Sequence, residues 1–206
     1  MSVEGVSVQK AKEMSQEERE LLLSKIEQHA HDYEVKYWGC SQAVLYTLQQ
    51  DLQLSDGGAF KAASPFAGGV ARMREVCGAL LGGVMAIGLV YGRTEFEAGK
   101  VALEQPDCVE SMVRASKFGE RFKEKFGCLR CGDVQAVIHG PDFKPHVRFT
   151  VKSFEEHAKC GEVTGPAARL AAEIILAPRE QFIADINVFL DDFSQVRKEQ
   201  RELGLV

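Results

Sequence analysis

Cysteine is the residue type in this chain that is best suited to chemistry. Five of the six cysteines have a glycine immediately beside them, which allows the tight turns and close backbone approach that a metal cluster or a reactive sulfur requires. Free cysteine often serves as a small buried hydrophobe, but glycine flanking at five positions argues against that role for the whole set. We therefore expect metal binding or thiol redox chemistry. The five are Cys40, Cys77, Cys128, Cys131 and Cys160, and the exception is Cys108, which follows Asp107.

Three of these cysteines, Cys40, Cys77 and Cys131, fall at or near the starts of helices that the sequence predicts. The unpaired backbone N–H groups and the dipole at a helix start favour a thiolate over a thiol. Nearby arginines could lower the pKa of these thiols further or hold an anionic substrate, and three histidines are further candidate metal ligands. The arginines are Arg72, Arg74 and Arg130, and the histidines are His139, His146 and His157.

A single C-x-x-C motif is formed by Cys128 and Cys131. In a helix, this spacing places the two sulfurs about one turn apart, within reach of one metal ion or of each other. A thioredoxin-like pair would need a preceding strand, whereas a phenylalanine-rich helix precedes this motif. Gly132 stands where a c-type haem site needs histidine, which excludes covalent haem attachment here. Cys128 and Cys131 are thus a candidate catalytic thiol pair, with zinc binding as the alternative.

Composition and charge narrow the classes of function. The chain has 206 residues, 45% of them hydrophobic and 27% charged, which suits one globular domain. Its formal net charge of -5 argues against a nucleic-acid-binding surface or an anionic-membrane surface. The polar start, residues 1–15, lacks the apolar run of a signal peptide, so we expect a cytoplasmic, reducing location without structural disulfides. The uncharged stretch at 76–91 is too short to predict membrane insertion.

Hydrophobic periodicity predicts an all-α fold, a compact single domain around a buried helix rich in glycine and alanine at about 75–91. We expect residues 1–14 to be a flexible N-terminus, 15–177 to be a helical cysteine-cluster domain, and 178–206 to be an amphipathic helix. That last helix would pack on the domain or on the partner of a homodimer through one apolar stripe. The other predicted helices cover 15–31, 40–52, 56–64, 106–126, a short helix from 131, 151–159 and 162–176, and the stripe consists of Phe182, Ile186, Phe189, Leu190, Phe193 and Val196.

The motif Cys77-Gly78-Ala79-Leu80-Leu81-Gly82, preceded by Gly39-Cys40 and followed by Cys131 and Cys160, resembles the redox-active family named for its C-GCAxxG-C-C pattern. The resemblance covers about 33–175. It implies a redox role carried by four characteristic cysteines, here Cys40, Cys77, Cys131 and Cys160. The family is related to split-Soret cytochromes, in which a similar cysteine set is associated with an iron–sulfur centre beside haem, but this chain lacks the haem motif.

Three hypotheses follow. In the first, Cys40, Cys77, Cys131 and Cys160 bind an iron–sulfur cluster that exchanges electrons with a redox partner protein, which the sequence does not identify. In the second, the protein is metal-free and exchanges disulfides through Cys128 and Cys131. In the third, the same thiolates hold zinc in a structural or metal-sensing module. Whether the chain is an enzyme, for example a component of an oxidoreductase, stays open at this point.

Overall fold

Helices account for most of the chain in the computed structural model, which describes residues 5–55, 57–98, 100–143, 155 and 158–203. These ranges contain no strand, only an isolated antiparallel bridge between Val76 and Arg130, so the all-α prediction is confirmed. Most of the helix predicted at 151–159, together with His146 and His157, lies outside the described residues. The helices are α1 Val8–Glu13, α2 Gln16–Tyr37, α3 Cys40–Asp51, α4 Gly57–Ala63, α5 Gly78–Tyr91, α6 Pro106–Phe126, α7 Cys131–His139, α8 Gly161–Leu176 and α9 Ile183–Glu202.

Several helix ends follow directly from capping residues. Ser15 and Glu18 form the predicted capping box of α2, in which each side chain accepts a hydrogen bond from the other residue's backbone N–H. Pro106 occupies the first turn of α6, and Gly127 ends that helix with a left-handed φ of 75°. Glu75 does not cap α5: the N-cap is Cys77, and Glu75 pairs with Arg130 instead.

The segment before α2 contains a helix that the sequence analysis did not predict. Helix α1 begins after Ser7, whose side chain accepts a hydrogen bond from the Lys10 N–H, and Ala11 is fully buried. The Val6 N–H donates to the Asp51 carbonyl at 2.9 Å. Because Ala11 is the one buried residue of this short helix, the segment carries no periodic hydrophobic signal.

Two helices that share small residues, α5 and α8, form the centre of the fold. Helix α5 packs against α3, α6 and α8, and α8 also packs against α2. A Cβ atom at Gly82 would overlap the Ser41 carbonyl oxygen of α3, so the close approach of these two helices requires glycine. The prediction of a buried central helix is confirmed for α5, and α8 joins it through buried alanines that include Ala167, Ala168, Ala171 and Ala172.

The start of α9 is held on the domain by Arg114, which is 1% exposed. Its guanidinium lies 4.0 Å from the Tyr91 ring centroid and 4.1 Å from that of Phe182, and it pairs with Glu110. Phe182 and Ile186 are buried against the core, but farther along α9 the predicted stripe is half-buried or exposed, with Val196 47% exposed. None of the helices in the described ranges is long and apolar enough to cross a membrane.

Between α4 and α5 the backbone makes a left-handed turn. Five consecutive residues, from Gly68 to Arg72, have φ between 49° and 70°, and Arg74 has φ 60°. Hydrogen bonds close the turn, among them Ala71 N to Pro65 O at 2.6 Å and Glu75 N to Gly69 O at 3.0 Å. Residues with a Cβ rarely adopt this conformation, which costs about 1–2 kcal/mol per residue in a left-handed helix. The turn is therefore strained at its non-glycine positions.

Replacement of Ala71 by glycine is expected to raise the free energy of unfolding by about 0.5–1 kcal/mol, because glycine adopts a positive φ without the Cβ clash. Ala71 is exposed, so few contacts are lost. The control is Ala115→Gly in the middle of α6, where glycine should lower stability by about 1 kcal/mol. Urea denaturation measures both changes, and a loss of stability in Ala71→Gly would contradict the strain.

Candidate functional site

Four cysteines from four separate segments line one cavity of about 640 Å³. Each stands at a helix start: two are the first residues of α3 and α7, and two are the N-caps of α5 and α8. The placement at helix starts is confirmed for the three cysteines for which it was predicted, and the fourth, Cys160, shares it. The pKa of each of the four is raised in part by at least one of the other three, so they lie near one another. They are Cys40, Cys77, Cys131 and Cys160.

The position of Cys40 depends on glycines. Gly39, with φ 132°, is the N-cap of α3 and lets the chain turn from α2 into α3. A Cβ atom at Gly78 would overlap the Cys40 Sγ and would lie 2.8 Å from the Phe66 carbonyl oxygen. The backbone N–H groups of Gly68 and Ser41 act to lower the pKa of Cys40, against the larger effect of burial. The CGAxxG motif thus contributes Cys77 and, because Gly78 has no side chain, also leaves room for Cys40.

Cys77 and Cys131 are joined through the antiparallel bridge that precedes α5 and α7. The Cys77 N–H donates to the Leu129 carbonyl at 2.9 Å, and the Cys131 N–H donates to the Glu75 carbonyl at 2.6 Å. Gly69 in the left-handed turn packs on Cys131, whose Cβ occupies the space that a side chain at position 69 would need. The bridge therefore holds these two cysteines in register with each other.

Cys160 enters from the other side of the fold, at the start of α8. Its carbonyl accepts a hydrogen bond from the Thr164 N–H at 2.9 Å, and the Thr164 hydroxyl donates to the Ala30 carbonyl of α2 at 3.1 Å. Gly161 packs against the His31 ring, so a side chain at position 161 would push α8 away from α2. These contacts fix Cys160 relative to the helix that also contributes Glu34 to the cavity.

Burial decides the protonation of the cysteines in the metal-free chain. It raises the pKa of Cys77 and of Cys131 to about 12, and raises the pKa of Cys40 and Cys160 well above the ordinary value, with further contributions from nearby acidic groups. The expectation that helix starts favour thiolates here is wrong for the metal-free chain. The backbone N–H groups of Ala79 and Leu80 act to lower the pKa of Cys77, but desolvation outweighs them.

Glu34 is a cavity residue that the sequence analysis missed. It is 3% exposed, and its carboxylate accepts a hydrogen bond from the Gly39 N–H at 3.0 Å. Burial raises the pKa of Glu34 to about 7. The sequence contained a signal for this position. Ile26, Ala30 and Glu34 follow one another at intervals of four residues, so all three fall on the same buried face of α2. A charged residue at a core position of a helix points to a functional group.

Of the remaining candidate residues, Cys108 and Cys128 lie outside the cavity, whereas His139 lines it. Among the described residues, the cavity lining does not include Cys128, whose thiol donates to the Phe126 carbonyl at 3.3 Å. Cys108 is half-buried on α6 and is likewise outside the cavity. His139 lies on the cavity wall, stacked on the Phe143 ring with 4.0 Å between ring centroids. The structure therefore places Cys131, but not Cys128, with the other cavity cysteines.

The cavity has room for more than a single metal ion. At a tetrahedral zinc with Zn–S bonds of about 2.3 Å, neighbouring sulfurs lie about 3.8 Å apart. Within the described ranges, no group of three or more His, Cys, Asp or Glu side chains is close enough to hold one ion. The four cysteines line a larger cavity, of about 640 Å³.

Comparison with known proteins agrees with the cysteine arrangement. The family model described as "Putative redox-active protein (C_GCAxxG_C_C)" matches residues 38–174, about two thirds of the chain. The matched region includes all six cysteines and every cysteine of the cavity. No curated protein sequence and no solved structure matches the chain significantly.

Proposed function

The chain belongs to the C_GCAxxG_C_C family of redox-active proteins, and we propose that its four cavity cysteines hold an iron–sulfur cluster for electron transfer or redox sensing. The observation that carries this proposal is the convergence of Cys40, Cys77, Cys131 and Cys160 on one cavity from four helix starts. Four cysteine thiolates are the usual ligand set of [2Fe–2S] and [4Fe–4S] clusters. A bound cluster would supply reversible one-electron exchange at this position.

The surroundings of the sulfurs suit such a centre. Cluster potentials depend on hydrogen bonds to the sulfurs and on solvent exposure. Here the backbone N–H groups of Gly68 and Ser41 act to lower the pKa of Cys40, and those of Ala79 and Leu80 act to lower the pKa of Cys77. Helix starts also place partial positive charge near the group, which would offset the negative charge of four thiolates. The four cysteines would hold the cluster, and the backbone groups around them would tune its reduction potential.

The protonation of the cysteines favours a metal centre over metal-free disulfide exchange. Exchange requires a thiolate nucleophile, and burial raises the pKa of Cys131 to about 12, so the thiolate is scarce at neutral pH. A bound metal reverses this balance because its charge deprotonates coordinating thiols. The candidate exchange partner, Cys128, also lies outside the cavity. Both observations support the cluster.

The size of the cavity favours a cluster over a single zinc ion. A structural zinc site brings its ligand atoms around one ion, whereas the four cysteines line a cavity of about 640 Å³. A multinuclear group fills more space than one ion, and its four cysteine ligands are distributed over two or four irons. We therefore expect iron and sulfide, rather than zinc, in the protein.

Metal analysis of protein purified without oxygen tests the proposal. We expect iron and acid-labile sulfide in matching amounts together with visible charge-transfer absorbance. Serine at any cavity cysteine should weaken iron binding about tenfold or more, whereas the matched controls Cys108→Ser and Cys128→Ser should keep native iron content. Circular dichroism confirms that each variant is folded. Zinc alone, no metal, or equal iron loss in the two controls would contradict the cluster. The cavity variants are Cys40→Ser, Cys77→Ser, Cys131→Ser and Cys160→Ser.

A further inference from the structure

Two arginines line the cysteine cavity, and their exposure places them near its opening. Arg72 is exposed and Arg74 is half-buried, whereas Cys77 and Cys131 are buried. Arg130, which is adjacent to Cys131 in sequence, does not line the cavity and pairs with Glu75 at 3.4 Å. The structure therefore separates two arginines at the cavity from a third that lies outside it. A cation pair at the mouth of a cleft attracts anions toward the interior.

Arg74 is held beside Cys131 by backbone contacts. The Gly132 N–H donates to the Arg74 carbonyl at 3.3 Å, and the neighbouring Cys131 N–H donates to the Glu75 carbonyl at 2.6 Å. The positive charge of Arg74 acts to lower the pKa of Cys131, opposing the effect of burial, so the guanidinium lies near that sulfur. An anion held by Arg74 would consequently lie next to one of the four cysteines.

Backbone strain is concentrated in the segment that carries both arginines. Arg72 has φ 65° and Arg74 has φ 60°, a region that residues with a Cβ rarely occupy. Strained conformations of this kind persist where the surrounding structure enforces them, and they cluster at ligand clamps and active sites. The stem of Arg72 packs over Gly68, whose backbone N–H acts to lower the pKa of Cys40. The same turn therefore positions the arginines and contacts the cysteine group.

The cavity wall also contains a buried hydrogen-bond acceptor that has no partner among the described residues. The Gln135 side-chain oxygen is buried and makes no hydrogen bond among the described residues. The amide of Gln42, in contrast, donates to the Phe60 carbonyl and to the Ser64 hydroxyl. A buried unpaired acceptor is costly and indicates a missing donor. The volume of about 640 Å³ is within the range of small-molecule sites.

We propose that the mouth of the cysteine cavity binds a small, partly protonated oxyanion, with its charge on Arg72 and Arg74 and a hydroxyl directed to Gln135. Planar guanidinium groups bind oxyanions through paired, charge-assisted hydrogen bonds. Binding itself depends only on these residues. The bound anion would lie beside Cys131, because Arg74 is near that sulfur.

Calorimetric titration with inorganic phosphate, a stable oxyanion that carries a hydroxyl at neutral pH, tests the site on the full chain as purified. Arg72→Gln and Arg74→Gln are each expected to weaken phosphate binding about tenfold or more. The matched control, Arg130→Gln, removes a cation close in sequence but outside the cavity and should change binding less than about twofold. Arg72 is exposed, so its variant should fold normally.

Absence of phosphate binding by the native chain would overturn the inference, and so would equal weakening in Arg130→Gln. Iron and sulfide measured on the same samples keep this test separate from that of the cluster. Phosphate binding without iron would support the anion site while contradicting the proposed centre. Iron and sulfide without phosphate binding would support the centre while overturning the anion site.

Discussion

Replacement of Gly82 by alanine is expected to lower the free energy of unfolding by about 3 kcal/mol and to reduce metal binding. The added Cβ would overlap the Ser41 carbonyl oxygen and would lie 3.1 Å from the Val44 Cβ. A backbone carbonyl inside a helix cannot rotate away, so α3 and α5 must separate, and overpacking of this kind typically costs 1–3 kcal/mol or more. Ser41 follows Cys40 directly, so the displacement should also move one cavity cysteine.

A control in the same helix separates the effect of the close contact between α3 and α5 from the general effect of replacing glycine by alanine. A Cβ atom at Gly88 would meet no atom within 4 Å, so Gly88→Ala should be neutral or should stabilise the protein by up to about 1 kcal/mol through helix propensity. Chemical denaturation gives both free energies, and iron content measured on the folded fraction gives the effect on the site. Similar stability in the two variants would show that α3 and α5 are not packed as closely as described.

Much of the fold follows from local signals that a sequence shows directly. The capping box at Ser15 and the glycine after Phe126 mark helix ends that depend only on neighbouring residues. The cavity cysteines were identified from the pattern of the family, and their glycine neighbours indicated close packing. The pattern does not show the direction from which each segment approaches the others. The position of Cys128 outside the cavity depends on the tertiary fold and could not be read from the sequence.

The features that sequence analysis missed depend on competition between energies. A helix start favours a thiolate, but the cost of desolvation at Cys77 is larger, and only the fold determines that burial. The left-handed turn carries Val70, a β-branched residue for which a φ of 59° is unfavourable. No local preference predicts such a turn, because packing of the cysteine segments and its own hydrogen bonds stabilise it.

Glu34 illustrates the same competition and leads to a prediction about pH. Its pKa of about 7 in the folded protein is above the ordinary value of 4.5, so the folded state holds the proton more tightly than the unfolded chain does. Below pH 4.5 both states are protonated, and the carboxyl group costs no stability. As pH rises from there through about 7, the unfolded chain loses its proton first, and the free energy of unfolding decreases.

Glu34→Gln should remove this pH dependence while keeping an acceptor for the Gly39 N–H. In the metal-free chain, the variant should match the native protein in stability near pH 4.5 and exceed it by up to about 3 kcal/mol above pH 7. The control is Glu124→Gln at an exposed position of α6, with an effect within about 0.5 kcal/mol at every pH. Urea denaturation between pH 5 and pH 8 measures the difference. A constant offset for Glu34→Gln across this range would mean that the carboxyl group is solvated rather than enclosed with the cysteines. A stability difference that grows with pH would instead show that the charge of this carboxyl group, beside the cysteines, opposes folding. Selection for stability alone does not explain why the protein keeps such a group.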